Sequence, residues 1–446
     1  MPEMKDCRGL TVTMSGPDAL AAHEELTNAY LGFKVNTGDC LKKALSVDAE
    51  APMHQAMAGY IFLLMALKPM VSRANAASEK ATELAEQRGN AREKLHATAL
   101  AKWCAGDITG AADRLEALLI EWPKDILAIK LAHYLHFYKG DVVEHRDSLA
   151  RVMPAWSLGM PGYSAVLGMR AFGLEEAGHY EEAERIGRRA VDLDPEDTWA
   201  IHSVAHVLEM QGRHQEGIEW IDRNADEWDG KIHSFANHVW WHKALYHLEL
   251  GQYEEVLSLY DNRFYSELSD DGLDIANASS MLMRLRLHGI DVSDRFEHLA
   301  DVIIKNKLEE ALLPFNDLHY SLALAGAGKP QAKLLSERIY KEDRETHWGA
   351  VYRDVGAPLS QGLVAYGNGD FRGAIEALNP IRYSWSRIGG SHAQRDIFQQ
   401  VLIDAAMKAE DWALANSLLA ERTALRPNSH ETHRRAEQVA SALKVY

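Results

Sequence analysis

A chain of 446 residues, 47% of them hydrophobic, can build one large core or two or three units of ordinary domain size. Its formal charge of −17 opposes non-specific attachment to nucleic acid or to acidic membranes, and its longest apolar run, IFLLMAL at 61–67, is too short to span a bilayer. The three cysteines, Cys7, Cys40 and Cys104, are scattered without CxxC spacing, which argues for a reducing compartment and against a disulfide frame or a cysteine-bound zinc. MPEMKDCRGL carries no charged-then-apolar signal pattern, so the expectation is a cytoplasmic protein with neither nucleic acid nor membrane as a partner.

Residues 1–19 read as an N-terminal extension. From residue 20 the chain reads as helix after helix, with strand signals almost absent. Two helix pairs come first: AAHEELTNAYLGF with GDCLKKALSV, then MHQAMAGYIFLLMAL with NAASEKATELAEQRG. Beyond them glycines punctuate the pattern at Gly106, Gly140, Gly178, Gly212, Gly251 and Gly369. Gly106 to Gly140 is 34 residues, and so is Gly178 to Gly212. An alanine stands five places after the glycine at Ala111, Ala183 and Ala374, and a proline 17 places after it at Pro123 and Pro195. Glycine permits a tight turn between antiparallel helices, alanine lets them approach, and proline stops the second helix. The units so marked are 92–125, 126–159, 164–197, 198–231, 237–270, 355–388 and 396–429, the last with Glu410 in the glycine place and Pro427 17 residues on. Between them EHLADVIIKNK, FNDLHYSLALAG and QAKLLSERIYKED continue a degenerate array. No Ser/Gly/Pro-rich linker divides it, so residues 20–446 are expected to form one superhelix.

A 34-residue period with these marks resembles the tetratricopeptide repeat, and GHYEEAERIGRRAVDLDPED (178–197) is a close match. The resemblance implies an all-α, right-handed solenoid whose first helices line a concave groove. Numbered from Thr198, the packing positions 4, 7, 8 and 11 are Ile201, Val204, Ala205 and Leu208, all apolar. The groove positions 2, 5, 9 and 12 are Trp199, His202, His206 and Glu209. At about 100° per residue, the two histidines and the glutamate share one face. In the next unit His238 takes position 2 and His242 position 6, with Trp241 beside them and Glu249 on the same side; His247 falls on the packing face. His133 and His136 also fall at packing positions and read as core.

Histidines at i and i+4 on one helix face can chelate a divalent metal, with a carboxylate one turn on. His202, His206, Glu209, His238 and His242 are therefore candidate ligands for zinc, iron or manganese, leaving a water position for hydrolysis or oxygen chemistry. Against this, the chain has 21 histidines, and histidines in a repeat groove often only hydrogen-bond a peptide or small molecule.

DTWAIHSVAHVLEM, NHVWWHKALYHLELG, FNDLHYSLA, YRDVGAPL, PIRYSWSRIGGSHAQRDIF and ALRPNS together resemble the tetratricopeptide repeat protein 38 family, over nearly all of the chain. The resemblance implies a solenoid of helix pairs and a cytosolic home, and no settled activity. Its later motifs hold concentrated polar residues: Asn316, Asp317 and His319; Arg353 and Asp354; Gly389, Gly390, His392, Gln394, Arg395 and Asp396. A double glycine ahead of a helix can cradle an anion. AGAGKPQ lacks the spacing of a phosphate loop, and HExxH and GxSxG are absent. If the superhelix curls, Asp317, His319 and Arg395 complete the histidine site as ligand, general base or anchor. Otherwise Asn316, Asp317, Asp354 and Asp396 are helix caps and Arg353 and Arg395 ion-pair partners.

Three functions follow as expectations. The first is a groove in which Trp199, Trp241 and the histidines bind a small molecule or peptide, with or without a divalent metal. The second is a metal-dependent hydrolase or oxygenase acting on a small molecule there. The third is a protein–protein interaction scaffold without chemistry; a homodimer is compatible with each.

Overall fold

The computed structural model describes residues 3–342 and 345–444. A two-stranded antiparallel hairpin, β1 (Glu3–Lys5) and β2 (Thr11–Thr13), opens the chain. Its strands have three residues each, too short for the alternation by which strands are read from sequence. The other elements described here are helices: α1 (Pro17–Leu31), α2 (Thr37–Val47), α3 (Pro52–Leu64), α4 (Lys68–Arg88), α5 (Ala91–Cys104), α6 (Ile108–Glu121), α7 (Ile126–Lys139), α8 (Val142–Val152), α9 (Tyr163–Glu176), α10 (Tyr180–Leu193), α11 (Thr198–Met210) and α12 (His214–Trp228). There follow α13 (Phe235–Glu249), α14 (Tyr253–Leu259), α15 (Gly272–Leu287), α16 (Ser293–Asn306), α17 (Pro314–Gly326), α18 (Gln331–Tyr340), α19 (His347–Val351), α20 (Ala357–Gly367), α21 (Phe371–Leu378), α22 (His392–Lys408), α23 (Trp412–Leu425) and α24 (His430–Leu443). The protein is an all-α helical repeat solenoid. No described helix is long and apolar enough to cross a membrane.

The turns show why the array repeats. Gly106, Gly140, Gly178, Gly212, Gly251 and Gly369 all adopt positive φ, and Glu410 stands in their place with φ 57°. A left-handed residue ends the first helix of a pair and reverses the chain. In four of these seven turns an aspartate directly after it caps the second helix: Asp107, Asp141, Asp370 and Asp411 accept the backbone N–H of Gly110, Glu144, Gly373 and Leu414 at 2.8, 3.2, 2.9 and 3.1 Å. In the sequence this signal takes the form Gly-Asp at 106–107, 140–141 and 369–370. The alanines at the fifth place, Ala111, Ala183 and Ala374, are buried, as helices in close approach require. Helix α6 illustrates the packing, burying Ile108, Ala111, Ala112, Leu115, Leu118 and Leu119 along one stripe.

The chain forms two compact units, Met1–Val204 with Asp226–His233, and Ala205–Ala225 with Ser234–Tyr446. In the first, the β hairpin and α1–α10 build a core of Leu, Ala and aromatic side chains. Lys130 on α7 is buried there under the rings of Trp199, Phe33 and Tyr134, at 4.2, 4.6 and 4.9 Å from its ammonium nitrogen.

In the second unit α15 and α17 are enclosed on nearly every side: Asp274 to Leu285 and Pro314 to Ala325 are buried without interruption. Such helices must find partners for their polar residues inside the protein. The last hairpin, α23 and α24, lies against the far start of the same unit. Arg426 meets Glu209 at 2.9 Å, Asn428 Nδ2 donates to the Gln211 carbonyl at 2.9 Å, and the Ser429 hydroxyl donates to Glu249 at 3.0 Å. Gly212 admits this approach, since a Cβ there would stand 2.4 Å from Asn428 Cβ.

Candidate functional site

Helix α13 presents His238, Trp241 and His242 from one stretch, with His238 and His242 a turn apart on the same face. Their Nε2 atoms are 3.3 Å from each other. His242 turns its Nδ1 toward Glu209 Oε2 at 3.3 Å, and His238 turns its Nδ1 toward Asn277 Oδ1 at 3.1 Å. The His206 ring, one turn before Glu209 on α11, has its centroid 4.3 Å from that of His242. One nitrogen from each of His206, His238 and His242 lies within 4.8 Å of the others. The structure therefore holds a cluster of histidines that could bind a metal ion. His202 sits one turn before His206 on the same face of α11 and is itself buried.

All these side chains are nine-tenths or more buried, where the repeat register expects a groove. Electrostatics follow from that burial. Glu209 titrates at about 2: burial works against its charge, but His242 and Arg426 outweigh it. His238 is pushed down to about 3, by burial and then by His242, and is a neutral imidazole at pH 7.

Behind Glu209 runs a chain of ion pairs. Arg426 reaches Asp396 at 3.6 Å, Asp396 accepts from Arg422 in a fork, and Arg284 approaches the same carboxylate at 3.8 Å. Burial opposes the charge of Asp396, yet Arg422 and Arg426 hold its carboxyl well below the usual range. Arg284 donates through Nη2 to the Ala393 carbonyl at 2.8 Å, and its guanidinium lies 5.7 Å over the Trp241 ring. Trp241 in turn stacks on His238, centroids 5.2 Å apart.

Several expectations are corrected. Asp396 is not a cap: Ser391 and Gln394 form the capping box of α22, which leaves Asp396 to the arginines. Asp317 is not a cap either, because Leu313 and Pro314 begin α17 and Asp317 pairs with Arg338 at 2.8 Å and accepts from the Tyr352 hydroxyl. Asp354 pairs with Arg387 at 2.8 Å rather than capping. Glu249 turns away from the histidines toward Ser429, which sits at the N-terminus of α24. His247 is half-buried, with Nδ1 2.6 Å from Gln252 Oε1, rather than packed in the core.

His319 is fully buried between Phe315 and Phe398 and donates from Nδ1 to the Phe315 carbonyl at 2.8 Å. Arg395 turns back to the carbonyls of Gly389 and Gly390, so the double glycine offers carbonyl oxygens there, the wrong polarity for an anion. Trp199 belongs to the Lys130 cage. Of the residues that sequence reasoning brought forward, the structure joins His206, Glu209, His238, Trp241 and His242. It adds Asn277, Arg284, Arg422 and Arg426, for which only the ALRPNS motif offered a signal.

Two further clusters lie in the first unit. Glu116, His136 and Glu144 approach one another, but Arg151 Nη2 already bridges the two carboxylates at 2.6 and 2.8 Å, so a cation is in place. His133 and His145, both buried, also bring Nε2 atoms to 3.3 Å, among Phe137, Phe172, Tyr134 and Trp199.

No protein-family model matches the chain. Among solved structures it is similar to yeast Tom70, with 14% identity, 95% of each chain covered and a TM-score of 0.37. It is also similar to the Cut9–Hcn1 hetero-tetramer of the APC/C, with 13% identity, 95% of this chain and 89% of that one covered, TM-score 0.35. For the TPR domain of P58(IPK) the identity is 12%, the coverage 80% and 99%, and the TM-score 0.23. At such scores the description of the fold rests on the helix hairpins themselves.

Proposed function

We propose that this repeat protein binds a divalent metal, zinc in the first instance and iron or manganese as alternatives, through His206, His238 and His242, and takes a small molecule beside it. The acceptors behind the His238–His242 pair carry the reading, and the spacing of the pair is compatible with it. Two nitrogens about 2.0–2.1 Å from a tetrahedral zinc stand about 3.3–3.4 Å apart, and the His238 and His242 Nε2 atoms are 3.3 Å apart. The Glu209 carboxylate, 3.3 Å from His242 Nδ1, favours the proton on that nitrogen, which turns the Nε2 lone pair toward His238. With Asn277 Oδ1 accepting from His238 Nδ1, both lone pairs converge, an arrangement that a cation between them relieves. An outer carboxylate or amide that fixes a ligating imidazole is the usual support of a metal site.

The same proposal places the chain in the tetratricopeptide repeat protein 38 family and in the cytoplasm. The motifs that resemble that family contain His206 and Glu209, His238 and His242, Asp396, and Arg426.

Elemental analysis of the purified chain tests the reading. Wild-type protein is expected to hold close to one zinc, iron or manganese per chain, and His238→Ala/His242→Ala to hold none. Metal-free wild-type protein that takes up none of the three at micromolar concentration sinks it, and leaves a proton shared between the imidazoles, with the Asn277 amide turned to donate. His202 decides whether the site is closed or open. If His202→Ala retains the metal, three imidazoles hold it and the fourth position is free for a ligand atom or water.

A further inference from the structure

Buried donors beside the histidines lack acceptors. Arg284 Nη1, Trp241 Nε1 and Asn277 Nδ2 are each buried without a hydrogen-bond partner among the described residues. Arg284 is 2% exposed, and Trp241 and Asn277 are no more so. They belong together. Asn277 and Arg284 are seven residues apart on α15, two turns along one face, and Arg284 lies over the Trp241 ring. A buried N–H left without an acceptor costs its full desolvation, more for a charged group, and here Arg284 lies over the Trp241 ring while Asn277 holds the histidine stacked on that ring.

The charges tell the same story. The guanidiniums of Arg284, Arg422 and Arg426 face the carboxylates of Asp396 and Glu209, with Arg284, Arg422 and Glu209 buried. Arg422 forks onto Asp396 and Arg426 bridges Asp396 to Glu209, so Arg284, at 3.8 Å, is the cation left with the weakest partner. Glu249, the next carboxylate toward Arg426, is engaged by the Ser429 hydroxyl and the Glu431 N–H.

We propose that Arg284, Trp241 and Asn277 form an anion subsite, and that the small molecule taken beside the histidines carries a carboxylate. A carboxylate supplies one negative charge and several lone pairs in a plane, matching a guanidinium with only a distant carboxylate and a set made only of donors. Burial of all three donors fits a small molecule rather than a polypeptide end. The assignment of this carboxylate to the metal's ligand rests on the metal reading above; the anion subsite itself does not.

The test is thermal unfolding of the full chain after chelator treatment, at one ionic strength, in sodium chloride, acetate, benzoate or phosphate, and again after zinc loading. Acetate or benzoate is expected to raise Tm in a saturable manner over chloride, with or without zinc. Arg284→Met should abolish the rise, Arg284→Lys should shift its midpoint at least tenfold upward, and Trp241→Phe, which deletes only the N–H and part of the ring, should weaken it less. Should Arg284→Met fail to fold, the lysine and phenylalanine variants carry the comparison. Equal Tm in chloride and both carboxylates, a response to phosphate alone, or a carboxylate response undiminished in all the Arg284 and Trp241 variants overturns the subsite. Absence of metal with the carboxylate response intact overturns the metal reading alone.

Discussion

Two pairs of buried imidazoles, His238 with His242 and His133 with His145, bring their Nε2 atoms to the same 3.3 Å, and they differ in everything behind that contact. In the first pair His238 Nδ1 is hydrogen-bonded to Asn277, and His242 Nδ1 lies 3.3 Å from a Glu209 carboxylate oxygen, an ion-pair distance outside hydrogen-bond geometry, with Glu209 itself held by Arg426. In the second, His133 Nδ1 is buried among aromatic rings without a hydrogen-bond partner among the described residues. Burial, followed by the neighbouring His145, keeps His133 well below its ordinary pKa, so this pair is neutral and one N–H donates to the other ring. The distance between two nitrogens does not distinguish a ligand pair from a hydrogen bond. What lies at the opposite side of each ring does.

The sharpest way to break this contrast is to remove the ion network behind Glu209. Asp396→Asn leaves buried guanidiniums without their carboxylate and is expected to cost about 3–5 kcal/mol, as loss of one partner from a buried pair does, in denaturant unfolding of the full chain. A loss below about 1 kcal/mol would mean that the network does not organise the site. The sign with pH follows from the direction of the shift. Asp396 is held below its unfolded pKa, so its contribution is complete above about pH 4 and is lost as pH falls through the folded value. Wild type should therefore lose stability below pH 4 more steeply than Asp396→Asn.

Next in size is the carboxylate that orients His242. Glu209→Gln keeps the shape and removes the charge, and should weaken zinc about 10–100-fold in competition with a chromophoric chelator. Unchanged affinity would place Glu209 in the fold alone. The smallest effect is expected in the other pair. Replacing both partners by apolar groups of similar shape is close to neutral, so His133→Leu/His145→Leu should change stability by about 1 kcal/mol or less and leave the metal content untouched. Loss of metal in that variant would erase the distinction between the pairs.

How much of this was legible in the sequence depends on the range of each interaction. The glycine turns, the alanines at helix crossings and the shared face of His202, His206 and Glu209 are local facts, set within one or two turns of helix, and register alone exposes them. Asp396 and Asp354 read as caps in the sequence because a carboxylate near a helix start looks the same whether it meets an N–H three residues on or an arginine from another hairpin. Asp396 finds Arg422 26 residues away, and Glu209 finds Arg426 217 residues away, and no period announces either. Asn277 was invisible for the same reason: an asparagine in mid-helix carries no mark of the histidine it orients.

The grip of residues 426–430 on Glu209, Gln211 and Glu249 changes how this unit should come apart. An open repeat array behaves as a row of dominoes, each unit held only by its neighbours, and frays from the end inward. Here the final hairpin is fastened to the beginning of its own unit, so neither end is free to fray first. Entropy of closure rises only slowly with the length of chain enclosed, so a contact spanning 217 residues is affordable once formed but slow to find. The histidine centre, lying against that clasp, is then tied to whether both ends of the unit are fastened together.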